Sequence, residues 1–235
     1  MSEIRLFGPD PIEFLDPAPY SALEYQGHMI AGTVWFVAAI IALFAMKGGK
    51  LHIRAGQICV ISVLLVALSA VIMLAVEWVN PLFLNSVTAT YAVGTAWLAL
   101  KPGTKRVRGL EYGLSLFEIA GLAVFLSLAI PAVTAGNVPL IGPAIVAALP
   151  IILLLGDLNF HSKPDQRAKL RVRRHLARMV WAFVIVLRAP LVEFETGGFY
   201  DVPDPLLVAG PPLLGIAMLI YFQRKFGGFE VGKQS

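Results

Sequence analysis

Charge is scarce in this chain. Only 14% of its 235 residues are Asp, Glu, Lys or Arg, against about 25% in an ordinary soluble domain. That shortage, with 57% hydrophobic residues and a mean hydropathy of +0.75, points to a polytopic membrane protein. Cysteine is nearly missing too. Cys59 stands alone in an apolar run, which excludes an intramolecular disulfide and leaves the redox compartment unread. The opening MSEIRLFGPDPIEF has no basic region, apolar core or small-residue cleavage site, so the first span is expected to do the targeting. No Walker loop, GxSxG elbow, GxGxxG, HExxH or CxxCH pattern is present. The last apolar run has no lysine for a retinal Schiff base, and no run repeats Arg or Lys every third position as a voltage sensor does. No motif assigns a reaction, so enzymatic activity is neither claimed nor excluded.

Hydrophobic length is what the chain does have. Apolar runs cover Gly27–Met46, Ala55–Trp78, Pro81–Leu100, Glu111–Thr134, Val138–Leu155, His175–Phe194 and Pro205–Phe222. At about 1.5 Å per residue each can cross a core of about 30 Å. The fifth, interrupted by Gly142, Pro143 and Pro150, is the weakest. Helices satisfy their own backbone in lipid, so the expectation is an all-α bundle of seven transmembrane helices over 27–222. An arm, 1–26, precedes it, kept extended by Pro9, Pro11, Pro17 and Pro19 and able to dip Phe7, Phe14 and Tyr20 among headgroups. A tail, 223–235, follows.

The charges orient this bundle. Every Lys and Arg except Arg5 and Arg188 then falls at one side or its boundary, while Glu77, Glu193, Glu195, Asp201 and Asp204 fall at the other. This is the positive-inside pattern for an N-terminus outside and a C-terminus inside, in a cell inner membrane. The basic residues are then expected to meet anionic headgroups, and the pI near 9.3 implies no nucleic acid. Gly156–Arg174 reads as the one sizeable inner loop, its second half a basic helix lying on the leaflet.

Four histidines are candidates for chemistry. His28 opens the first run, His52 lies in KGGKLHIRAG, His161 in the long loop and His175 at the start of the sixth run. A haem b held between helices needs two axial groups at similar depth, which only His52 and His175 offer, with Arg54, Arg174 and Arg178 near enough to pair propionates. The bland alternative is a boundary histidine bonded to a loop or headgroup. Arg188 lies deep in the sixth run, where a guanidinium costs about 2.5–3.5 kcal/mol, so it must face helices or water. Its candidate partners are Glu193, Glu195, Glu77 and, in the fourth run, Glu118. Arg188 and Glu118 could form a proton, ion or anion site; alternatively Arg188 caps carbonyls freed by Pro190. Thr88, Tyr91 and Thr95 in the third run, and Gly27, Gly32 and Ala39 in the first, read as packing positions.

His28 followed by Gly32, the KGGKLHIRAGQ turn and the RRHLARM stretch (Arg174, His175, Met179) together resemble an uncharacterised bacterial family of multi-span membrane proteins. That family is a domain of unknown function with a distant likeness to haem-bearing cytochrome b-type helical bundles. The resemblance implies a candidate metal-ligand trio, His28, His52 and His175, and no reaction. The expected function is a membrane redox-type or accessory subunit binding a haem, metal ion or quinone. Alternatives are a proton-coupled transporter of a small or anionic substrate using Arg188 and Glu118, and an assembly subunit docked on other membrane subunits.

Overall fold

A computed structural model describes residues 17–196 and 204–226; the side chains of 192–196, 204, 205 and 208 are outside that description. The described chain is all-α, with no β-strand. Its helices are α1 (Ala22–Phe44), α2 (Lys50–Val76), α3 (Asn80–Ala99), α4 (Lys105–Thr134), α5 (Ile141–His161), α6 (Arg167–Thr196) and α7 (Asp204–Phe226). Four of them, α1, α2, α4 and α5, are long and apolar enough to cross a membrane.

Several helices extend beyond the apolar runs read from the sequence. Helix α1 starts at Ala22, inside the stretch read as an extended arm, because Ser21 and Glu24 form a reciprocal capping box. Just before it, Tyr20 is buried and donates to Glu77 Oε2 at 3.4 Å, so its ring is covered by protein. Phe7 and Phe14 lie outside the described residues. The expected inner loop is largely helix: α5 continues to His161, a 3-10 turn spans Pro164–Gln166, and α6 begins at Arg167. Its polar residues find partners inside the bundle, so the backbone has no reason to leave the helix.

The packing is inverted relative to a soluble protein. On α2 the large side chains Ile58, Ile61, Leu65, Leu68 and Ile72 recur every three or four residues on an exposed face. Small Ala55, Cys59 and Ser62, with Val63, are buried. On α4, Leu116, Phe117 and Ile119 are exposed while Glu111, Glu118 and Gly121 are buried. Such a surface would drive association in water and suits hydrocarbon. Helix α3 is the axis, packed on α2, α4, α5 and α6. Gly121 and Gly94 permit its approach to α4: a Cβ at either would fall 2.6 Å from Val87 or 2.9 Å from Leu114. Gly27 and Gly32 have nothing within 4 Å of such a Cβ, so they pack no helix, whereas Ala39 is buried.

Candidate functional site

Two groups of functional side chains flank α3 near the end where the Lys and Arg residues gather. The first is a histidine pair. His52, in the first turn of α2, donates Nδ1–H to the Ala42 carbonyl of α1 at 3.0 Å. His175, on α6, donates Nδ1–H to the Ala96 carbonyl of α3 at 3.1 Å. A carbonyl can only accept, so each Nδ1 carries the hydrogen and each Nε2 keeps a lone pair. The rings meet edge to face, with centroids 6.5 Å apart and planes at 79°. Two imidazoles that shared one metal at about 2.0–2.1 Å each would have centroids within roughly 6.5 Å of one another. The separation is compatible with two imidazoles sharing a metal, and the backbone acceptors fix the tautomer such a ligand would need.

The other residues proposed for that cofactor are placed differently. Arg54 is exposed on α2. Arg178 is committed to the Leu153 carbonyl and Asp157. His28 donates to Ser69 Oγ at 2.9 Å, while the Ser69 hydroxyl turns back to its own helix carbonyls. Ala42, which holds His52, lies fourteen residues further along α1, about 21 Å by helical rise. His28 is thus apart from the pair, and among the described residues no cluster of three or more His, Cys, Asp and Glu is arranged for a metal. His161 stacks against Tyr112 at 4.7 Å on the α4–α5 side.

The second group is a buried ion network. Arg167 grips Glu111 through two hydrogen bonds of 2.9 and 3.0 Å. Arg174 reaches Glu111 and also donates to Asp157 Oδ1 at 2.8 and 3.1 Å. Arg178 donates to the same oxygen. The other oxygen, Oδ2, accepts from Tyr91 at 2.6 Å and Ser115 at 3.0 Å. Glu111, Asp157, Arg174 and Arg178 are all buried. Phe160 lies under the Arg174 and Arg167 guanidiniums, at 4.2 and 4.9 Å, and the Tyr91 ring lies under Arg178 at 4.7 Å. Sequence reasoning missed Glu111 and Asp157 and took the arginines for headgroup contacts or, for Arg174 and Arg178, for propionate partners.

Glu118 ends this network. Its Oε1 accepts from Thr88 at 2.7 Å, and its Oε2 has no partner among the described residues. Arg188 is half-buried and forms no hydrogen bond or ion pair with Glu118. It lies ten residues past Arg178 on α6, about 15 Å by rise. The side chains of Glu193 and Glu195 are outside the described residues.

Comparison with protein-family models, curated proteins and solved structures finds no match for this chain.

Proposed function

We propose that this chain is a multi-span membrane protein that holds a cofactor, haem b or a single metal ion, between His52 and His175. One observation carries the reading: two imidazoles edge-to-face at 6.5 Å, each pinned through Nδ1–H to a helix carbonyl, so that each Nε2 keeps its lone pair. A haem or redox metal at such a pair supplies one-electron chemistry when bound. The chain's own part is to fix two tautomers, set the ring separation and surround the pair with protein. Lys47 stands beside it, donating to the Ala42 and Leu43 carbonyls at 2.9 and 2.6 Å.

The same reading places all seven helices across a cell inner membrane, N-terminus out and C-terminus in. The side distribution of Lys and Arg and the exposed aliphatic faces support it. The role is that of a redox-type or accessory subunit.

The test is the absorption spectrum and metal content of gently solubilised full-length protein. A Soret band, or one metal per chain, is expected, lost in His52→Ala and in His175→Ala and kept in His28→Ala. Wild-type protein purified with neither signal, and gaining none on adding haemin or divalent metal, refutes the reading.

A further inference from the structure

A row of polar side chains leads inward from the Arg167 end and stops at Glu118. On α4 it consists of Glu111, Ser115 and Glu118, spaced by four and three residues and so on one face. That spacing advances about 10 Å along the helix. Helix α5 adds Asp157, α3 adds Tyr91 and Thr88, and α6 adds Arg167, Arg174 and Arg178. Past Glu118 the neighbourhood turns apolar, with Leu84, Phe125, Ala129, Val146 and Ala147 packed together. That packing also holds one buried polar side chain, Asn80, whose Nδ2 donates to the Phe125 carbonyl at 3.2 Å.

Two atoms at the Glu118 end are unmatched. Glu118 is fully buried, yet Oε2 has no partner among the described residues, and neither has Nη1 of the buried Arg178. A lone buried carboxyl oxygen is costly unless something fills it. Thr88 is also set apart from its neighbours. Ser86, Thr90 and Thr95 return their protons to carbonyls one turn back, whereas Thr88 donates to Glu118. Charge gathers beside Glu118: Arg167, Arg174 and Arg178 are paired with Glu111 and Asp157, so one proton added or removed at Glu118 changes the charge of the buried group by one.

We propose that Glu118 is a proton-loading site, filled and emptied from the Arg167 end, with Oε2 as the atom that takes the proton. The proton comes from bulk water at that end and returns there, converting a carboxylate to a carboxylic acid and back. Asp157 and the hydroxyls of Ser115, Tyr91 and Thr88 are the groups along the row that can accept and release it. Arg178 and Asp157 face Glu118 from α6 and α5 and set its charge environment, Thr88 and Tyr91 contribute from α3, and Glu111 sits on α4 itself.

The experiment is infrared difference spectroscopy between acidic and alkaline buffer on the full chain in lipid nanodiscs. A protonated-carboxyl band should appear on acidification, move on exchange into D2O, vanish in Glu118→Gln and be displaced in Glu118→Asp. Thr88→Val should retain the band and shift its midpoint pH. A band unchanged in both Glu118 variants, or none that responds to pH, overturns the proposal; so does one that ignores D2O, which would mean a sealed carboxyl with no route. Should the Gln variant fail to fold, the Asp displacement and the Thr88→Val midpoint decide. The readout does not involve the histidine pair, so either reading can fail alone.

Discussion

Asp157 is the side chain on which most of the bundle's buried charge depends. It accepts from Arg174, Arg178, Tyr91 and Ser115 at once. Asp157→Ala would leave two buried guanidiniums short of a counter-charge, and breaking a buried pair this way costs about 3–5 kcal/mol. Tyr91→Phe removes one hydrogen bond to a charged group, a loss of about 1.5–3 kcal/mol. Unfolding of both variants in mild detergent should rank Asp157→Ala as the more damaging; the reverse order would mean that Tyr91 acts mainly through packing. Lys47, in the turn between α1 and α2, offers a pH test. Burial, then the neighbouring Lys225, holds its ammonium below the usual lysine range. The unfolded chain therefore binds more protons than the folded one between the two pKa values, and stability rises with pH through that window. Thermal midpoints measured from neutral to alkaline pH should show a steeper rise for wild type than for Lys47→Gln.

Between helices, the close approaches are set by glycine. At Gly121 an added methyl would lie 2.6 Å from Val87 Cγ1, so Gly121→Ala should destabilise α3 against α4 by about 1–3 kcal/mol. Val87→Ala in the same chain should recover part of that loss, read as a coupling in a double-mutant cycle. Gly32→Ala has open space and should cost nothing measurable. Sequence alone marked Gly27 and Gly32 as packing glycines alongside Gly94, because small residues mark helix contacts without saying which partner meets them. The same limit explains the ion network. Arg167, Arg171, Arg174 and Arg178 are spaced by four, three and four residues, a helical stripe that was legible, as was the Glu111–Ser115–Glu118 face. Neither stripe reveals the other, since the acids sit on α4 and α5 and the arginines on α6. A cluster of arginines at the end of an apolar run also satisfies the positive-inside pattern, and that reading concealed their burial. The His52–His175 pairing was legible from similar depth; its ring geometry depends on the Ala42 and Ala96 carbonyls, which no side-chain pattern encodes.

The described residues keep buried ion pairs inside and aliphatic faces outside, and the chain's charge asymmetry suggests one orientation to test. Helix α4, at 30 residues, is about 45 Å long, more than a core of about 30 Å needs. Its first turn carries Lys105, Arg106 and Arg108 and can stand clear of hydrocarbon while Glu111 begins the buried row. The proton route proposed for Glu118 then opens on the same side as the basic turns. Cys59 is fully buried, so Cys59→Ala gives a clean background for single-cysteine labelling. In intact cells an impermeant maleimide should label Asn137→Cys, on the exposed turn between α4 and α5. Lys101→Cys, on the exposed turn between α3 and α4, should react only after the membrane is opened. The opposite result would invert the bundle and move the mouth of the Glu118 row to the outside, where protons would load from the other compartment. Labelling of both positions in intact cells would mean that α4 does not cross, and a buried row ending at Glu118 would then separate no compartments.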